Sequence, residues 1–216
     1  MRLRRTNNET ADENIFWVTM SDLMLGFALV FLVMFFYVFV TNNIKEVEEN
    51  IAKESANKAM QIALNESNVD AIVDINNGLV KISDLELFEL NSAKLSNKGK
   101  EYLNKFAPAY FNSLFDNEYL DKNIKKIIIQ GHTDSQTFIG SYSEDSQYMK
   151  NMRLSLERAY TVADFMINTP YNKVNGERLR KMIIVEGASS SEPVLTDGKE
   201  DYAKSRRVEL KIVMNN

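Results

Sequence analysis

Lys126-Ile127-Ile128-Ile129-Gln130-Gly131-His132-Thr133-Asp134 reads as a short buried strand running into a polar turn. A compact apolar run that ends at a glycine fits a strand better than a helix, and it sets the class of the segment around it. Downstream, Gln147 to Asn168 reads as a helix that stops ahead of Pro170, because the residue before a proline avoids helical geometry. Lys181 to Gly187 (KMIIVEG) and Val208 to Met214 (VELKIVM) add two more strands. Upstream, Ser96 caps a helical-period run of Leu103, Phe106, Ala107, Tyr110 and Leu114. Pro108 falls inside that run, which predicts a kink. Earlier still, Ala71 to Ser83 alternates around Asn76-Asn77-Gly78, the pattern of a hairpin. Strands and helices in this order predict an α/β (α+β) sandwich, with helices packed on a sheet, over residues 70–216.

A second feature lies far from that domain. Ile15 to Val40 reads IFWVTMSDLMLGFALVFLVMFFYVFV, an apolar run interrupted by a single charge, Asp22. It is long enough to cross a bilayer as a helix. It is also too long for a signal-peptide core, so it should stay as an anchor. A carboxylate inside a spanning helix costs roughly 2.5–3.5 kcal/mol on insertion scales, which makes it a candidate functional group. A partner helix, a bound ion or protonation would offset that cost. Snorkelling to the interface or capping the first turn is the structural alternative. Thr19 and Gly26 share the Asp22 side of a helix, and Thr19 and Ser21 offer hydroxyls to a proton or a partly dehydrated cation. Arg2, Arg4 and Arg5 on the short tail, residues 1–14, place the N-terminus in the cytoplasm by the positive-inside rule. That tail is too short to fold alone. Residues 41–69 lack proline and glycine and extend the helix outward. There Ile44, Val47, Ile51, Ala59 and Ile62 form an intermittent stripe, read either as a dimeric coiled coil or as one side of a solvated spacer.

Composition excludes several classes of function. The 216 residues carry a net charge of −4, so no basic surface argues for nucleic acid. With no cysteine there is no disulfide framework, no thiolate chemistry and no lipidation site of that kind. The one histidine, His132, cannot build a His-rich metal site and reads as a packed, hydrogen-bonded residue. No nucleophile with a base and an orienting group is evident, and no paired catalytic carboxylates, so neither an enzyme nor a resident cofactor is expected.

Five short motifs then come in order. Phe88 to Ser96 reads FELNSAKLS, Gly131 to Asp134 reads GHTD, and Asn151, Leu154, Ser155, Arg158 and Ala159 fit N-x-x-L-S-x-x-R-A. Gly187 to Pro193 and Ser205-Arg206-Arg207-Val208-Glu209 complete the series. Together they resemble the OmpA-like peptidoglycan-binding family. The resemblance implies a site for the diaminopimelate of a stem peptide, with Asp134 binding its ammonium and Arg158 its carboxylate. Thr133, Asn151, Leu154, Arg206 and Arg207 are the accompanying site residues, one of the two last ordering the site and the other sitting in an ion pair. Without the motifs, Asp134 and Arg158 would read as a strand–helix salt bridge. The sequence departs from the family in the sixteen residues between Asp134 and Asn151, where Gly140 is the nearest candidate for an expected glycine.

A membrane helix with one Asp, followed by such a domain, resembles the B subunit of ion-driven stator motors. The form Phe16-Trp17-Val18-Thr19-Met20-Ser21-Asp22-Leu23-Met24 is similar to the B subunit of the Zorya anti-phage defence system. The flagellar stator is the alternative within the family, and a passive membrane-to-wall tether is the alternative outside it. The resemblance implies a homodimer inside a ring of MotA- or ZorA-like membrane subunits, carrying H⁺ or Na⁺ on Asp22. It also implies a single-pass protein of the bacterial inner membrane with a periplasmic C-terminal domain held to peptidoglycan.

Overall fold

The computed structural model describes residues 6–67, 71–74, 78–89, 91–137, 140, 143–170 and 176–215. One compact unit ends at Asn50 and a second begins at Ile51. The described residues of the first unit all belong to α1 (Thr6–Glu66). Within it, Ile15–Ile44 has a mean hydropathy of 2.8 and none of its residues is buried. Its 30 residues extend ~45 Å at ~1.5 Å per residue, more than the ~30 Å hydrocarbon core of a bilayer. Leu23, Met24, Leu25 and Phe27 are all exposed, so apolar side chains surround the helix as lipid would require. The helix starts at Thr6, so most of the tail predicted to be too short to fold simply continues it. Arg2, Arg4 and Arg5, on which the orientation rests, lie outside the described residues.

The second unit is a sheet with helices. After α1 come β1 (Ile72–Asp74), β2 (Leu79–Ser83), α2 (Asp84–Leu87), α3 (Asn97–Phe115), α4 (Glu118–Asn123) and β3 (Ile124–His132). Then follow α5 (Glu144–Asn168), α6 (Gly176–Met182), β4 (Ile183–Gly187), β5 (Leu195–Thr196), β6 (Lys199–Glu200), α7 (Tyr202–Ser205) and β7 (Arg207–Met214). Five strands form one sheet in the order β1-β2-β7-β3-β4, and β5 pairs with β6 apart from it. β3 and β4 are parallel, and the crossover between them contains α5 and α6. The predicted hairpin is β1–β2, with Ile72 opposite Lys81. Asn76 and Asn77 of its turn lie outside the described residues. The strand expected from Lys181 starts at Ile183, because Lys181 and Met182 finish α6. The helix expected from Gln147 starts at Glu144, behind a cap in which Ser143 Oγ accepts from Ser146 N–H at 3.3 Å.

Alternation along the strands turns Val80, Ile82, Ile127, Ile129, Val208 and Leu210 into one buried layer. α3 lays Leu103, Phe106, Ala107, Tyr110 and Leu114 into the same core and runs through Pro108 as one helix. Ser96 caps it, its Oγ accepting from Gly99 N–H at 2.9 Å. The last turns of α1 also enter this core through Ala56, Met60 and Leu64, each fully buried. The compact unit therefore begins ahead of residue 70. The apolar stripe read from the sequence lies on another side of the helix, with Ile44, Val47, Ile51 and Ile62 exposed.

Tyr110 is fully buried and stacks on Phe106 with ring centroids 5.3 Å apart, yet its hydroxyl finds no hydrogen-bond partner among the described residues. Removing that hydroxyl keeps the stack and relieves a desolvated donor. Tyr110→Phe should raise the unfolding free energy of this unit by about 1–2 kcal/mol, read as a higher urea midpoint for loss of amide protection in α3.

Candidate functional site

Site geometry starts at Gly131. A Cβ there would lie 2.0 Å from the Ser155 carbonyl oxygen, so glycine alone lets α5 come down onto β3. Gly187 makes the neighbouring approach, where a Cβ would sit 2.9 Å from both Leu156 N and Ser155 Oγ. Ser155 Oγ accepts from Ser189 N–H at 3.1 Å, and Thr133 N–H donates to Ser189 O at 2.9 Å. These contacts fix the end of β3 against one face of α5. Asn151, Leu154 and Arg158 occupy that face at helical spacing and line a cleft of about 730 Å³ together with Thr133, Asp134 and Arg206.

Asp84, Phe88 and Asn91 line the same cleft. Arg158 Nη2 lies 3.2 Å from Asp84 Oδ2, Arg158 Nε donates to Ser92 O at 3.0 Å, and the guanidinium sits 5.3 Å from the centroid of the Phe88 ring. Arg206 Nη1 is ion-paired with Asp134 Oδ2, and Arg206 Nε lies 3.9 Å from Asp84 Oδ2. The charges thus alternate Arg158, Asp84, Arg206, Asp134. Burial pushes the Asp84 carboxyl above its ordinary pKa, against the lowering effect of Arg158 and Arg206. Burial also lowers the Arg158 pKa, with Asp84 opposing it. Thr133 Oγ1 is buried in the cleft wall without a partner among the described residues. Such a site suits a small ligand with opposite charges a few ångströms apart, since a guanidinium grips a carboxylate through two donors.

The sequence profile of the OmpA family matches residues 87–207. Over 214 residues the chain is 32% identical to the Zorya protein ZorB of Escherichia coli strain Crooks, covering 94% of this chain and 89% of that protein. The chain belongs to the ZorB family. A second ZorB, from Escherichia coli O139:H28 strain E24377A, is 26% identical over 213 residues, covering 93% of this chain and 80% of that one. Among solved structures, a putative MotB-like protein from Desulfovibrio vulgaris shares the fold with a TM-score of 0.55. It is 17% identical, covering 78% of this chain and 95% of that one.

In this ZorB-family chain, Asp134 and Arg158 both face the cleft, but each is ion-paired with another residue: Asp134 with Arg206, Arg158 with Asp84. Asp84 escaped the sequence reading because Ser83-Asp84 resembles an ordinary helix start, and no spacing links it to Arg158. Arg207 does not line the cleft. Its Nε lies 2.6 Å from Glu209 Oε1, and its Nη1 donates to Ser205 O and Glu192 O at 3.1 and 3.2 Å. His132 is packed as expected, but its ring nitrogens contact carboxylates at ion-pair rather than hydrogen-bond distance. Nε2 is 3.4 Å from Glu209 Oε2, and Nδ1 is 3.9 Å from Glu192 Oε2. This trio has the donor set of a cation site. However, Arg207 and Lys211, the latter 3.3 Å from Glu209 Oε2, already supply the positive charge, so it works as an ion-pair network. In the membrane helix the Thr19 hydroxyl donates to Phe16 O at 2.9 Å and to Ile15 O at 3.0 Å, and the Ser21 hydroxyl donates to Trp17 O at 2.8 Å. Both oxygens are left as acceptors.

Burial alone would raise the Glu209 carboxyl, but the His132 and Arg207 contacts outweigh it and hold the group far below its ordinary 4.5. The folded state thus favours charged Glu209. The stability this gives is present above pH 4.5 and is lost as pH falls below it, where the unfolded chain takes up the proton first. Glu209→Gln strands the Arg207 charge and should cost about 3 kcal/mol at pH 7. It should also flatten the acid limb of stability, both read from amide exchange in β3 and β7 between pH 3 and 7.

Proposed function

We propose that this chain is the peptidoglycan-anchored B subunit of an ion-driven inner-membrane motor, serving Zorya anti-phage defence. The observation that carries the reading is the union, on one chain, of a membrane-length helix bearing a lone carboxylate and a cleft with alternating arginines and aspartates. Diaminopimelate ends in an ammonium and a carboxylate on one carbon. In the cleft its ammonium meets Asp134 and its carboxylate meets Arg158, each exchanging an internal ion pair for one with the ligand. Asn151 and Leu154 flank the bound group from α5. A domain held this way supplies the fixed point that a motor needs.

Asp22 then carries the transported H⁺ or Na⁺, with Thr19 and Ser21 as neighbouring oxygens. Two copies sit inside a ring of ZorA- or MotA-like subunits, with the N-terminus cytoplasmic and the OmpA-family domain periplasmic. The exposed stripe of Ile44, Val47 and Ile51 gives the second copy an apolar surface to meet. ZorB-family membership favours the defence system over the flagellar stator.

Two substitutions separate anchor from carrier. Arg158→Ala should reduce retention of the detergent-solubilised chain on purified sacculi at least tenfold, and undiminished retention would show that the cleft is not the wall site. Asp22→Asn should leave sacculus binding intact while abolishing phage protection in a plating assay. Full protection by the Asn variant would leave a passive tether.

A further inference from the structure

Asp84 stands at the centre of the cleft's charges, although the motifs that mark the cleft do not include it. Its Oδ2 lies 3.2 Å from Arg158 Nη2 and 3.9 Å from Arg206 Nε, so one carboxylate oxygen bridges two cations that would otherwise repel. Its Oδ1 is buried without a hydrogen-bond partner among the described residues. α2 carries Asp84 directly after β2, and its backbone N–H donates to Arg206 O at 3.1 Å, which ties it to the segment that presents Arg206. The Asp84 side chain is 10% exposed and that of Arg158 is 4% exposed, so their charges act with little screening by solvent.

The consequence is a matter of charge balance. Of the charged residues lining the cleft, Glu89 and Lys150 offset each other, and Arg158, Arg206 and Asp134 without Asp84 would leave one net positive charge, attractive to any carboxylate. Asp84 cancels that charge. A neutral set of charges accepts a zwitterion without creating an imbalance, whereas a carboxylate lacking an ammonium brings an uncompensated negative charge beside two aspartates. We propose that Asp84 is the specificity-determining residue of the cleft: it holds Arg158 and Arg206 toward a common carboxylate and selects a zwitterionic amino-acid head over a simple carboxylate. The proposal rests on the reading of the cleft as the stem-peptide site.

The test is direct titration of the full-length chain in detergent with two tripeptides, one ending in diaminopimelate and one identical except for the absence of the terminal amine. The wild-type chain should prefer the amine-bearing peptide by about tenfold or more. Asp84→Asn keeps the shape but not the charge, and should lower the ratio by about threefold or more, to the part that Asp134 alone supplies. Asp84→Glu keeps the charge and should retain the preference, and it serves as the deciding variant if the Asn form does not fold. An unchanged ratio in Asp84→Asn, even with both affinities weakened, would overturn the proposal and leave Asp84 a structural partner of Arg158. So would loss of the preference in a folded Asp84→Glu. Equal binding of the two peptides by the wild-type chain would overturn it while sparing the wall-anchor reading. Binding of neither peptide would overturn both.

Discussion

The domain's cleft depends on the contact between Gly131 and the Ser155 carbonyl. No side chain fits there, because even a Cβ would overlap the oxygen at 2.0 Å. With that approach allowed, α5 lies close against the end of β3, and the residues following Gly131 meet those around Ser155. Arg158 is one turn beyond Leu154 and Thr133-Asp134 is just beyond β3, so a single backbone contact places both sides of the cleft. Ser155 then adds a second hold by accepting from Ser189 N–H. The motif GHTD and the motif N-x-x-L-S-x-x-R-A are thus two halves of one packing arrangement, and their charged residues are positioned as a by-product of it.

Strand geometry then divides the charges into two separate networks. Arg206 and Arg207 are adjacent in sequence, yet one faces the cleft and the other faces Glu209. Successive residues of an extended chain point in opposite directions. The Arg207, Glu209, His132 and Lys211 group is mostly buried and its charges are paired within it. The Arg158, Asp84, Arg206 and Asp134 group is comparably charged but lines an open cleft. Charges paired away from the cleft suit a role in stability; charges reachable from a cleft suit exchange with a ligand. The same residue types therefore serve different ends according to the face on which they sit.

The main elements were legible because their patterns are local. Ser96 and the periodic apolar residues after it specify α3, the isoleucines specify β3, and VELKIVM specifies β7. The short elements α2, α4 and α6 and the β5–β6 hairpin carry too few periodic residues to declare themselves. Asp84 was invisible for a different reason. Its partner Arg158 is remote in sequence, and nothing local distinguishes it from a residue that merely begins a helix. The end of α1 shows a third kind of ambiguity. The sequence offers two apolar faces there, and the stripe through Ile51 and Ile62 is the longer. Yet Ala56, Met60 and Leu64 are the residues that the sheet's core buries, since which face packs is decided by where β1 and β2 lie and not by the helix.

Around Asp22 the structure narrows the chemistry that the proposed carrier role could use. Ser21 is its sequence neighbour, but one residue along a helix turns the side chain by roughly 100°. Thr19, three residues back, and Gly26, four residues on, share its face, and Gly26 adds no side chain there. Thr19 has already given its hydroxyl hydrogen to the backbone. The oxygens beside the carboxylate can therefore accept but not donate. Acceptors next to a carboxylate do nothing to settle its negative charge, so in the proposed motor that charge is met from outside this helix: by a donor on a partner helix, a proton on the carboxylate itself, or a cation held between carboxylate and hydroxyl. A carboxylate fixed by donors on its own helix would be a structural group. One whose same-face neighbour Thr19 is only an acceptor stays available to an arriving proton or cation, as the proposed carrier role asks.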